Sequence, residues 1–129
     1  MAKILVVDDD LDMCQIISDI LKEEGYSVNS SYKGKDALMK IKKNPYDLII
    51  LDCKLDEMSG LTLFEKAFQI RPSLQVIMIS AFGNKSIKAR ARELGVGDFL
   101  DKPFDIKRLI QAVQDTLTKN TADEKPKKE

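Results

Sequence analysis

The chain has 129 residues, 43% of them apolar and 33% charged, proportions that suit one soluble domain with a core of useful size. Lysine plus arginine and aspartate plus glutamate both total 21, so no basic excess is present to hold a phosphate backbone, which argues against direct nucleic-acid binding. Histidine is absent, which removes the commonest general base and transition-metal ligand, so any histidine chemistry must come from a partner.

No window approaches the roughly 18 apolar residues of a membrane span, and the amino terminus lacks a charged-then-apolar leader. The expectation is a cytoplasmic protein without membrane contact. Cys14 and Cys53 are too few for a disulfide framework and too far apart for a local metal knuckle, so both read as buried thiols.

Strand-like runs alternate with segments of helical periodicity along the chain, the pattern of βα units wound into a parallel sheet with helices on both faces. Ile4 to Val7 forms the first strand. Met13, Ile16, Ile17, Ile20 and Leu21 then repeat at helical spacing over roughly Leu11 to Glu24, with Gly25 placed to end the helix. A weaker strand around Val28 precedes a second helix carrying Ala37, Leu38 and Ile41, closed by Asn44-Pro45. Leu48 to Leu51 is the third strand. Gly60 opens a third helix with Leu61, Leu63, Phe64, Ala67 and Phe68, which ends at Arg71-Pro72, and the fourth strand runs to Ser80. After a Phe82-Gly83-Asn84 loop, a short basic helix covers about Lys85 to Leu94, its charges read as a solvated face. A strand at Asp98 to Leu100 leads through Lys102-Pro103 into a last helix whose stripe is Ile106, Leu109, Ile110, Val113 and Leu117.

Four of the strand runs end in polar residues of different kinds: Asp8-Asp9, Asp52, Ser80 and, shortly after the last, Lys102. Open parallel sheets bind ligands at the carboxyl ends of their strands, so these groups are expected to converge. Three carboxylates held close repel unless a cation or a proton relieves them, and an all-oxygen donor set suits Mg²⁺, with Mn²⁺ as a substitute. A carboxylate so relieved can attack a phosphoryl group and form an aspartyl phosphate. Lys102 would stabilise the equatorial oxygens and the Ser80 hydroxyl would bond the product phosphoryl. Asp8, Asp10 and Asp12 mimic the opening of a calcium loop, but Met13 replaces its glycine and Asp19 its terminal glutamate.

Together these residues resemble the receiver domain of two-component response regulators, over Lys3 to about Leu117. The family's acidic pair matches Asp8 and Asp9, its phosphorylated aspartate Asp52, its switch hydroxyl Ser80, and its lysine Lys102 within Lys102-Pro103-Phe104; Phe99 falls at the aromatic switch position. The resemblance implies a flavodoxin-like, doubly wound α/β fold: a five-stranded parallel sheet of order 2-1-3-4-5 with five helices. It also implies a cis Lys102-Pro103 peptide. The metal would be held by Asp9, Asp52, the backbone carbonyl of Lys54 and waters, one oriented by Asp8. The phosphodonor would be a histidine kinase or histidine phosphotransferase. Phosphorylation would switch the surface of the fourth helix, fifth strand and fifth helix toward a downstream protein target or an output domain outside this sequence.

Residues 1–118 form the receiver domain on this reading, and 119–129, polar and aperiodic, an unstructured tail or linker stub. Such a module catalyses only its own phosphorylation and dephosphorylation and is not a conventional turnover enzyme. The alternatives are an interaction module of the same fold without phosphotransfer, which the complete residue set argues against, and an aspartyl-intermediate phosphatase, which needs an acid where this chain has Lys54. One departure stands out: the family commonly carries Met-Pro after the phosphoacceptor, whereas here the loop reads Leu55-Asp56-Glu57-Met58-Ser59-Gly60. Either another residue tolerates the same turn, or the loop is more mobile and brings extra negative charge to the metal. By family geometry Lys54 and Phe82 flank the approach of hydrolytic water and would slow dephosphorylation; a solvated lysine and a packed loop phenylalanine are the simpler alternatives.

Overall fold

A computed structural model describes residues 2–55, 57–81 and 85–124, with residues 119–124 as backbone alone. Its elements are β1 (Lys3–Val7), α1 (Leu11–Glu23), β2 (Ser27–Ser31), α2 (Gly34–Lys43), β3 (Leu48–Asp52), α3 (Gly60–Ile70), β4 (Gln75–Ser80), α4 (Lys85–Leu94), β5 (Asp98–Asp101) and α5 (Ile106–Glu124). The strands form one parallel sheet of order β2-β1-β3-β4-β5, as expected.

Alternate residues of each strand enter opposite cores, which is why the runs are apolar without interruption. Leu5, Val7, Ile49, Leu51, Val76 and Met78 pack under α2, α3 and Ala91 of α4. Ile4, Val6, Leu48, Ile50, Ile77, Ile79 and Leu100 pack under α1 and α5. Strand register pairs Val7 with Leu51, Leu51 with Met78 and Ile79 with Leu100, so the polar residues that follow arrive at one edge.

The turns match the local chemistry. Asp10 caps α1 by accepting the N–H groups of Asp12 (3.0 Å) and Met13 (3.2 Å), and Ser59 caps α3 on Thr62 (3.1 Å). Gly25 and Gly95, just past the ends of α1 and α4, take φ of 96° and 97°, the left-handed conformation that favours glycine. Arg71 donates to the orphan carbonyls of Ile41 (2.9 Å) and Lys42 (3.2 Å) at the end of α2, tying it to α3. The Lys102-Pro103 peptide is cis.

Two features differ from the sequence reading. Helix α5 continues to Glu124, past residue 118, where apolar periodicity fades; a helix already nucleated extends at little cost per residue, so periodicity underestimates its length. Residues 125–129 of the expected tail lie outside the described residues. The basic residues of α4 are not only solvated: Lys88 bonds Asp101 at 2.9 Å and Arg90 lies 3.6 Å from Glu65 of α3.

Ile50 is 1% exposed in the α1/α5 core. Ile50→Ala is expected to lower stability in urea denaturation by about 2–5 kcal/mol. Asp10→Ala, which removes only a cap, is expected to cost about 1 kcal/mol and to leave cation binding intact.

Candidate functional site

Asp8 and Asp9 follow β1, Asp52 ends β3, Ser80 ends β4, and Lys102 follows β5. Carboxylate oxygens of Asp8, Asp9 and Asp52 lie within 4.8 Å of one another. Lys102 Nζ reaches between two of them, 3.4 Å from Asp8 Oδ2 and 3.9 Å from Asp52 Oδ2. Asp8 is buried at 2% exposure, and its Oδ1 accepts the Asp10 N–H at 2.9 Å. Asp9 is half-buried.

Backbone bonds fix the frame. The Asp8 N–H donates to the Ser31 carbonyl (3.1 Å), Cys53 N–H to the Ile79 carbonyl (2.9 Å) and Lys102 N–H to the Ser80 carbonyl (2.6 Å). Gly60 N–H closes on the Cys53 carbonyl at 2.7 Å, and a Cβ at Gly60 would lie 2.4 Å from the Asp52 carbonyl oxygen, so only glycine fits there.

Burial pushes the Asp52 carboxyl up to about 6 from an ordinary 3.8, reinforced by the negative charge of Asp8. Lys102, the Lys54 N–H bonded to the Asp52 carboxylate, and the weaker influence of Asp9 only partly offset or add to this. A hard cation relieves the same crowding, and the donor set consists of carboxylate oxygens, the kind Mg²⁺ takes. The neighbouring thiols do not compete as ligands, because burial first, and nearby aspartates second, push Cys14 and Cys53 up to about 11.

The five residues expected at the strand ends are therefore placed together, although Ser80 is linked to the cluster through its carbonyl and through a hydrogen bond between its hydroxyl and the Cys53 thiol. Cys53, 8% exposed between the phosphoacceptor candidate and the hydroxyl, carries no sequence signal beyond adjacency to Asp52. The Lys54 side chain is exposed. Phe99 sits away from the carboxylates, half-buried, with Lys88 Nζ 5.4 Å from its ring centroid; Phe82 lies outside the described residues.

A five-stranded doubly wound sheet with three acids, a hydroxyl and a lysine at one end of its strands is the arrangement that the resemblance to receiver domains implies. The sequence model of the response regulator receiver domain matches residues 4–114, and the chain belongs to that family. It is 36% identical over 116 residues to the chemotaxis protein CheY of Bacillus subtilis (strain 168), covering 89% of this chain and 97% of that protein. It is 33% identical over 125 residues to the transcriptional regulatory protein ZraR of Salmonella typhimurium, covering 95% of this chain. The chain spans 26 to 28% of the length of the transcriptional regulators it matches. The crystal structure of a CheY-like receiver domain protein from Methanospirillum hungatei JF-1 superposes with a TM-score of 0.91 at 28% identity, covering 95% of this chain and 98% of that one.

Because the folded Asp52 value of about 6 lies above the ordinary 3.8, the folded chain binds this proton more tightly, and stability falls as pH rises from about 4 to about 6. Asp52→Asn removes that penalty. In metal-free buffer it is expected to exceed wild type by on the order of 1–3 kcal/mol in urea denaturation near neutral pH, with the gain vanishing by about pH 4.

Proposed function

We propose that this receiver domain accepts a phosphoryl group on Asp52 from a partner phosphohistidine, in a Mg²⁺-dependent reaction, and reports it through the α4-β5-α5 surface. The observation that carries this reading is the contact of Lys102 with both Asp8 and Asp52 beside Asp9. Asp9, Asp52 and the Lys54 carbonyl would hold the cation, with Asp8 acting through water. The ion would supply charge neutralisation for the incoming phosphoryl oxygens.

The chain's own residues supply the remaining steps. An Asp52 carboxylate oxygen attacks phosphorus, the O–P bond forms, the N–P bond to the donor imidazole breaks, and the imidazole leaves with the bonding pair and takes a proton from solvent. The Lys102 ammonium, already 3.9 Å from Asp52, meets the negative oxygens of the transferred group. The Ser80 hydroxyl bonds a product oxygen, giving up its contact with Cys53. Phe99 and its cation partner Lys88, which also bonds Asp101, lie where that rearrangement reaches β5 and α4.

A protein donor fits the surroundings. Beside Lys102, the side chains of Met13, Ile16, Ile20, Phe104 and Ile106 line an apolar groove of about 440 Å³, with Ile16 and Ile106 51% and 57% exposed. Contiguous exposed apolar surface of this kind marks a protein contact. The proposal places the domain in the cytoplasm; among the described residues no helix is long and apolar enough to cross a membrane.

Incubation with a small phosphodonor and Mg²⁺ is expected to add one phosphoryl mass to wild type and none to Asp52→Asn, with amide shifts in α4, β5 and α5 of the wild type alone. No mass gain in wild type that binds Mg²⁺ would favour an interaction module without phosphotransfer. Lys54→Asn is expected to shorten the phosphoryl lifetime measured by loss of that mass; an unchanged lifetime would leave Lys54 an ordinary solvated side chain.

A further inference from the structure

The turn between β3 and α3, which lacks the family's proline, is closed by a different device. Lys54 and Ser59 oppose each other in an isolated antiparallel bridge, whose two bonds run from Gly60 N–H to the Cys53 carbonyl (2.7 Å) and from Leu55 N–H to the Met58 carbonyl (3.2 Å). Both bonds belong to residues flanking the pair, so the N–H and carbonyl of Lys54 itself face away from Ser59. Its N–H bonds the Asp52 carboxylate, and in extended backbone the carbonyl of the same residue lies on that same side.

The far end of the turn rests on α2. Met58 is half-buried against the core side of Gly34, where a Cβ would lie 2.9 Å from both Met58 Sδ and Cε. Glu57 Oε2 accepts the Lys35 N–H at 3.4 Å, in the first turn of α2. One small residue thus makes room for the thioether, and one amide of the helix's first turn engages the neighbouring carboxylate.

We propose that Gly34, Glu57 and Met58 are positioning residues that dock the turn on α2 and thereby set the placement of the Lys54 carbonyl and the affinity of the carboxylate cluster for a divalent cation. This rests on the ligand role proposed for that carbonyl. Mg²⁺ demands near-ideal octahedral geometry at about 2.0–2.1 Å, so a displacement of a few tenths of an ångström in one ligand weakens binding. A methyl at Gly34 displaces the Met58 side chain and the turn with it; trimming Met58 removes the contact and at the same time makes room for that methyl.

The test is a Mg²⁺ titration of the full chain followed by amide resonances, with hydrogen exchange at the Leu55 amide as a second readout. Gly34→Ala and Met58→Ala are each expected to weaken Mg²⁺ binding several-fold, to about tenfold, and to speed Leu55 exchange, while Glu57→Gln has a smaller effect in the same direction. The Gly34→Ala/Met58→Ala double variant is expected to bind no more weakly than Met58→Ala, because the two act through one contact. Unchanged affinity in both single variants, or losses that add in the double, would overturn this proposal alone. A wild-type chain that binds no Mg²⁺ would overturn it together with the functional reading on which it rests.

Discussion

Mutual repulsion among Asp8, Asp9 and Asp52 is the constraint around which this domain is arranged. Their oxygens lie within 4.8 Å of one another, and the Lys102 ammonium, 3.4 Å and 3.9 Å from two of them, offsets the repulsion only in part. Burial first, and the charge of Asp8 second, raise the proton affinity of Asp52 despite the nearby ammonium. A cluster poised in this way favours anything that adds positive charge, whether a proton or a hard cation. The rest of the fold must hold the strands in register against it.

Two apolar layers do so. Because neighbouring residues of β1, β3 and β4 enter opposite cores, a slip of one residue would move each strand's apolar set into the wrong layer and scatter the polar ends. Register and chemistry are thus coupled: the pairing that buries Val7, Leu51 and Ile79 also delivers Asp8, Asp52 and Ser80 to one edge. The close approach of Gly60 to the Asp52 carbonyl brings the start of α3 against the end of β3, leaving no space for even a methyl group.

Much of this was legible in the sequence because burial on both faces writes itself as uninterrupted apolar runs and because the groups at their ends differ in kind. Strand order and the switch roles of Ser80 and Phe99 rest instead on family resemblance, which periodicity alone cannot supply. The backbone of α5 continues to Glu124, past its apolar stripe, because propagation needs no further apolar periodicity. The contacts of Glu57 with Lys35 and of Met58 with Gly34 join residues more than twenty positions apart through one side chain each, so no local pattern announces them. The Cys53–Ser80 bond is invisible for the same reason: it depends on β3 and β4 lying side by side.

That thiol has a consequence for the lifetime of the proposed product. An aspartyl phosphate is a mixed anhydride, and its acyl carbon is open to sulfur nucleophiles; a thiolate one residue away would divert it to a thioester and expel phosphate. Burial first, and the charge of the Asp52 carboxylate second, push the Cys53 thiol up to about 11, which favours its protonated form. If Asp52 is phosphorylated as proposed, the buried wall of the site would act as chemical insulation, letting a soft nucleophile sit beside an activated acyl group without consuming it.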